Sequence, residues 1–473
     1  MAISEAGAHI LVFPYPAQGH MIPLLDLTHH LALRNFTITI LVTPKNLHYL
    51  NPLLIKHPSI QPLVLPFPTT SSIPEGVENV RDLPTGGFRL MTLALADLYD
   101  PLVNWFQNHL SPPVAIVSDM FLGWTHQLAT DLKIKRFVFS PSGALSLSIM
   151  YNLWHYMPKR NDPTDDNEVL RFEKIPNCPS YPWWKISPLF RSCAEGDQQS
   201  EVLKDSLRGN MASWGLVINS FNELEQVYLD YLKEFLGHDR VWAVGPLLPP
   251  VEEQVRRGGS SGILASEIKV WLDQFKEKSV VYVCFGSQAV LTNKQMEMLA
   301  LGLEKSGVPF LWSYKDPTKG HAVGDYSMIP PGFKDRVVGR GLIVKGWAPQ
   351  VPILTHPAVG AFLTHCGWNS VLESITAGVP MLTWPMGADQ FENADLLDEF
   401  KVGTRVCEGA LTIPDSDELA RLVAKSMSDD QRVEMVRAEE LSKAALSSIE
   451  KEGPSCRALN SFVYCVSQAQ PTL

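Results

Sequence analysis

Hydrophobic and polar positions change period repeatedly along the chain. Residues 9–14 are a short apolar run, 15–19 read as a turn, and 21–33 repeat apolar side chains at helical spacing. A β-branched run follows at 37–43. Strand, helix, strand is the opening of an α/β sheet. Further buried strands are predicted at 113–118, 136–139 and 214–219. The grammar then restarts. Strands are predicted at 279–285, 309–313, 341–345, 359–364 and 380–384, and helices at 294–306 and 368–377. Apolar strands alternating with helices predict parallel sheets covered on both faces.

Between the halves, residues 245–262 collect proline, glycine and charge, the composition of an exposed linker. The pattern therefore predicts an N-terminal Rossmann-like domain over 1–248, a linker over 249–266 and a second Rossmann-like domain over 267–452. A helix over 453–473 is free to pack back on the N-terminal domain. Two such sheets in series imply a ligand cleft between them. A chain of 473 residues suits two domains better than one.

Composition narrows the function classes. The net charge is −10 and no concentrated basic patch exists, which argues against sustained binding to nucleic acid or anionic lipid. The seven cysteines are scattered, with no CxxC pair, so reduced thiols in a cytoplasmic protein are expected, without a disulfide framework or structural zinc. The first residues lack the features of a signal peptide, and no apolar stretch reaches the roughly 18 residues of a membrane span. A monomer without an integral membrane segment is the expectation.

Two places carry candidate chemistry. The first joins His20, just after the turn that ends the first strand, with Asp119 at the end of the 113–118 strand. In parallel sheets both positions face the ligand crevice beyond the strands' carboxyl ends. A neutral imidazole there can act as a general base, with the carboxylate holding its far nitrogen and fixing the tautomer. His9, His29, His30, His126 and His356 have no such setting and read as structural. The turn Pro14-Tyr15-Pro16-Ala17-Gln18-Gly19-His20 is not GxGxxG, which removes a dinucleotide oxidoreductase.

The second place is 347–390. It opens Trp347-Ala348-Pro349-Gln350, continues Thr364-His365-Cys366-Gly367-Trp368-Asn369-Ser370 and Glu373, and closes Pro385-Met386-Gly387-Ala388-Asp389-Gln390. An apolar strand ends at Thr364 and turns into a helix whose first turn carries Asn369 and Ser370. The free N–H groups and partial positive charge of a helix start make an anion site. Gly367 allows close backbone approach, and His365, Asn369 and Ser370 add donors. The expected ligand is a diphosphate. The triplet Asp415-Ser416-Asp417 follows Pro414 and precedes an amphipathic helix, so it reads as a helix cap, not a metal ligand.

This segment resembles the signature box of plant family-1 UDP-dependent glycosyltransferases. The match extends from the Pro-Ala-Gln-Gly-His run to the Phe-Gly-Ser of the second half and so covers nearly the whole chain. The overall character is similar to the subgroup that glycosylates flavonols and simple phenolic acids. The resemblance implies a GT-B fold, and His20 and Asp119 as the catalytic dyad. It implies that Trp347 stacks on uracil with Ala348 beside it, that Gln350 contacts the nucleoside and that Glu373 accepts from the ribose hydroxyls. His365, Gly367, Asn369, Ser370 and Ser287 would hold the phosphates. Trp368, Asp389 and Gln390 would face the sugar, with Gln390 favouring glucose over galactose and Trp368 disfavouring glucuronate. UDP-xylose, UDP-rhamnose and UDP-galactose stay open as donors, and so does attack by carbon in place of oxygen. The implied reaction inverts the sugar and needs no metal or cofactor, UDP-glucose being a co-substrate. Phe88, Phe121, Trp124 and Tyr151 are candidate walls for a small lipophilic acceptor. The intact dyad and donor positions argue against a catalytically silent binding protein.

Overall fold

The structure is a computed structural model that describes residues 7–83, 87–248, 263–316, 325–428 and 432–469. The chain divides into two units, Met1–Leu247 with Ser448–Leu473, and Leu248–Ser447.

The first unit is built on β1 (His9–Phe13), β2 (Thr37–Val42), β3 (Gln61–Val64), β4 (Ala115–Asp119) and β5 (Lys135–Ser140), with a small antiparallel pair, β6 (Val169–Arg171) and β7 (Ser180–Pro182), then β8 (Gly215–Ile218) and β9 (Val241–Ala243). Its main sheet runs β3-β2-β1-β4-β5-β8-β9, parallel throughout. Along β1, Ile10 and Val12 enter one core while Leu11 and Phe13 enter another. Side chains alternate between two faces that are both covered, which is why the strand reads as an unbroken apolar run. Phe13 of β1 pairs with Ser118 of β4, so the carboxyl ends of these two strands lie side by side.

The second unit holds β10 (Val280–Cys284), β11 (Phe310–Tyr314), β12 (Gly341–Lys345), β13 (Val359–Thr364), β14 (Met381–Thr383) and β15 (Gly403–Arg405). The order is β12-β11-β10-β13-β14-β15, again all parallel. Val281, Val283, Trp312, Leu363 and Leu382 share one core with Leu419 and Val423 of the helix Ser416–Lys425. Cys284 of β10 pairs with Thr364 of β13, which sets the loops after these strands next to each other.

Several boundaries differ from the sequence reading. The first helix spans Gln18–Ala32, so His20 lies inside its first turn and does not follow a longer loop. Of the expected linker, 249–262 lies outside the described residues, and Ala265 already opens the helix Ala265–Leu272. The chain rejoins the first unit at Ser448, near the end of the helix Arg432–Ile449, and not at 453. The helical period runs through this point unbroken, so the sequence carries no punctuation there. Ser448 Oγ donates to the Gly245 carbonyl at 3.4 Å. The last helix, Pro454–Ser467, adds Leu459, Phe462 and Val466 to the core containing Ile10, and Trp242 Nε1 donates to Ser461 Oγ at 3.1 Å.

Candidate active site

Asp119 ends β4 and His20 lies in the helix that follows β1, so the strand pairing brings together residues far apart in sequence. His20 Nδ1 is 2.9 Å from Asp119 Oδ2. Asp119 is fully buried, and its other oxygen, Oδ1, accepts the Phe121 N–H at 2.9 Å. The carboxylate is thus held from two sides, one of them its own turn. Nδ1 faces the carboxylate, which leaves Nε2 as the nitrogen available to a substrate.

Three aromatic rings surround His20. Phe121 stacks on it at 4.9 Å between centroids, with Tyr15 at 5.5 Å and Phe88 at 5.7 Å. Tyr15 and Phe88 stack on each other, and the Tyr15 hydroxyl donates to the Phe88 carbonyl at 2.8 Å. Burial pushes the Tyr15 phenol well up, so it stays a neutral donor. Tyr15 escaped the sequence reading because a tyrosine after a strand has no mark of its own. Of the other expected acceptor walls, Trp124 lies in the same hydrophobic cluster as Tyr15, Phe88 and Phe121. Trp124 packs edge-on against Phe13, and Tyr151 stacks on Phe235 with 1% of its surface exposed. Tyr151 is a core side chain here.

In the second unit three of the expected donor residues, Gln350, Ser370 and Glu373, form a connected hydrogen-bond system. Gln350 Nε2 donates to Ser370 Oγ and to Glu373 Oε2, both at 2.9 Å, while Tyr282 Oη donates to Gln350 Oε1 at 3.4 Å. Gln350 therefore orients the two side chains expected to meet phosphate and ribose. Trp347 is half-buried after β12, next to the buried Ala348. The Ser287 carbonyl accepts from Lys315 Nζ at 2.8 Å, and Lys315 is a residue that sequence reasoning missed.

The helix Trp368–Ala377 starts with Gly367 at its N-cap position and carries Asn369 and Ser370 in its first turn. The turn before it is strained. Cys366 has φ +65°, unusual for a residue with a side chain. Its N–H donates to Thr364 Oγ1 at 3.2 Å and its carbonyl accepts from Asn393 Nδ2 at 2.9 Å, which together hold the strained conformer. Asn393 lies beyond the matched segment, so nothing in that pattern announced it. Ala388, just before Asp389, is the second left-handed non-glycine residue of this region, at φ +52°. Gln390 Oε1 accepts the Met386 and Gly387 N–H groups at 2.9 and 3.2 Å, which turns its NH₂ away from that loop.

His365 fits against two glycines. A Cβ built on Gly286 or on Gly367 would lie 2.6 Å from its ring, so both positions need glycine for this close approach. Burial pulls the imidazole down to about 4, and among the described residues Nδ1 has no hydrogen-bond partner. At neutral pH His365 is an uncharged ring that can donate one N–H. Asp415 Oδ1 accepts the Asp417 and Glu418 N–H groups at 2.9 and 2.8 Å, a helix cap. Among the described residues no helix is long and apolar enough to cross a membrane.

Comparison with known proteins places these features in a family. The family model described as UDP-glucoronosyl and UDP-glucosyl transferase matches residues 259–442. UDP-glycosyltransferase 89B2 of Stevia rebaudiana is 59% identical, over 98% of this chain and 99% of that protein. The flavonol 3-O-glucosyltransferase UGT89B1 of Arabidopsis thaliana is 55% identical, over 96% and 95%. The crystal structure of Arabidopsis thaliana UGT89C1 complexed with UDP-L-rhamnose superposes with a TM-score of 0.81 at 39% identity, over 98% of this chain and 99% of the other. The same enzyme has been solved complexed with quercetin, at a TM-score of 0.79 and 37% identity, over 98% of this chain and 100% of the other. The two parallel α/β units are those of the GT-B fold, and the chain belongs to the UDP-dependent glycosyltransferases, enzymes that transfer a sugar from a UDP-sugar.

Proposed function

We propose that this enzyme transfers glucose from UDP-glucose to a hydroxyl of a flavonol or related phenolic, with inversion at the anomeric carbon. The observation that carries the reading is the His20–Asp119 pair at 2.9 Å inside a cage of three aromatic rings. A flat apolar acceptor is suited to such a cage, because aromatic faces bind rings without needing charge. His20 Nε2 takes the proton of the acceptor hydroxyl as its oxygen attacks the anomeric carbon. Asp119 at Nδ1 holds the tautomer and stabilises the imidazolium that forms.

UDP leaves with its charge met by the N–H groups at the start of Trp368–Ala377 and by His365, Asn369, Ser370 and Ser287. These donors supply what a metal supplies in other sites, so no metal is invoked. Trp347 stacks on uracil and Glu373, held by Gln350, accepts from the ribose. Gln390, Asp389 and Trp368 meet the sugar. One displacement converts an α-linked donor into a β-glycoside.

Support for a flavonol acceptor comes from the flavonol 3-O-glucosyltransferase at 55% identity and from the quercetin complex of a structural neighbour. A neighbour solved with UDP-L-rhamnose makes rhamnose the donor to test against glucose. The test is product mass analysis with UDP-glucose, UDP-rhamnose, UDP-xylose and UDP-galactose against a panel of flavonols and simple phenolics. A β-O-glucoside from UDP-glucose as the dominant product supports the reading. A dominant rhamnoside, or glucose attached to ring carbon, overturns the donor or the linkage respectively.

A further inference from the structure

Behind the dyad lies a buried cation. Arg136, in β5, is 1% exposed. Its Nε donates to Ser118 Oγ at 2.9 Å. One terminal nitrogen donates to Asn210 Oδ1 at 2.9 Å and to Ser213 Oγ at 2.6 Å. The other reaches the Asp119 carbonyl at 3.3 Å and the Leu122 carbonyl at 3.4 Å. Every one of these partners is neutral. A charge this deep normally comes with an anion, because desolvation costs several kcal/mol that neutral acceptors offset only in part. Burial pulls the guanidinium down to about 9, against the opposing pull of Tyr151 and Asp119.

The bonds converge on one short stretch. Ser118 and Asp119 end β4, and Leu122 closes the single helical turn Met120–Leu122. That stretch carries both the carboxylate that faces His20 and the Phe121 ring that stacks on it. From the other side, Asn210 lies in the last turn of the helix Gln198–Met211, and its Nδ2 donates to the Met120 carbonyl at 2.6 Å. The guanidinium and Asn210 together tie that helix to the turn.

We propose that Arg136 is a positioning residue of the transfer reaction: through the Asp119 and Leu122 carbonyls it fixes the turn that aims the Asp119 carboxylate at His20 Nδ1. This rests on the roles proposed above for His20 and Asp119. The planar fork suits the task, since a lysine has one compact ammonium and cannot span both carbonyls and the Ser118 hydroxyl.

The test is a double-mutant cycle on the full chain, reading kcat, KM for UDP-glucose and the dissociation constant of UDP. Arg136→Met should lower kcat by ~100-fold and Arg136→Lys by ~10-fold, with UDP binding within about two-fold of the parent, because a loosened supporting shell misplaces the base without touching the donor. In the Asp119→Asn background, Arg136→Met should cost less than ~2-fold more, because residues acting as one unit are not additive. Full kcat in Arg136→Lys, or the same fold-loss in both backgrounds, overturns the inference. Arg136→Lys decides the matter if Arg136→Met does not fold. Turnover retained in Asp119→Asn sinks the dyad reading, whereas turnover lost there but independent of Arg136 sinks only this inference.

Discussion

The two units hold their reactive groups by different means. In the first, one imidazole and one carboxylate are fixed by rings on one side and a buried guanidinium on the other. In the second, many weak donors are fixed by one another and by a backbone in strained conformations. The difference follows from the tasks. Moving a proton needs one nitrogen in one direction, so precision is concentrated on a single bond. Holding a diphosphate and a sugar needs several donors spread over many ångströms, so precision is distributed over a network. Single substitutions should therefore be severe at the dyad and graded at the donor site.

The largest effect is expected where no neighbour can substitute. His20→Ala should lower kcat by ~10³-fold or more, since loss of a general base together with its orienting pair removes several kcal/mol of transition-state stabilisation. UDP should bind as before, which isothermal titration can check. Turnover within ten-fold of the parent, or a lost UDP site, would break the division between the two units.

The next effect is smaller and falls on the other side. Gly367→Ala places a methyl group 2.6 Å from the His365 ring, closer than real Cβ atoms come, so the ring must move. UDP affinity should drop by ~10-fold, the order expected when one charge-assisted phosphate contact is lost. An unchanged dissociation constant would mean that His365 does not help to hold the diphosphate.

The same contrast governs what could be read from sequence. Apart from Ser287, the expected donor residues lie within one contiguous stretch, where a strand, a glycine turn and a helix start spell out an anion site, so the anion site was legible there. His20 and Asp119 were legible because one opens the helix that follows β1 and the other ends β4, and parallel pairing sets those two strand ends side by side. What supports them was not. Arg136 reads as the polar start of an otherwise apolar strand. Tyr15 reads as a turn residue, and Asn393 lies outside the segment 347–390. Their roles exist only through contacts between distant segments, which periodicity does not encode. Likewise β9 and β15 have three residues each; β14 is as short, but it lies inside the longer run read at 380–384. Ser448 was missed as a boundary because a helix crosses it.

The smallest effect tests whether the network is tuned as well as assembled. Burial holds His365 down to about 4, against ~6.5 in an unfolded chain. Between these values the unfolded state binds more protons, so this group's contribution to stability is complete above ~6.5 and is lost as pH falls toward about 4. His9, His30 and His126 are also pulled down by burial, so the enzyme's own acid instability is a sum over several rings. A comparison with His365→Gln removes the sum, because the other rings are common to both proteins. The parent should lose about 2 °C more in melting temperature than the variant between pH 7 and pH 5, measured without nucleotide. Parallel pH profiles would place the His365 imidazole in contact with water, and with it would go the argument that an uncharged ring donates to the phosphate.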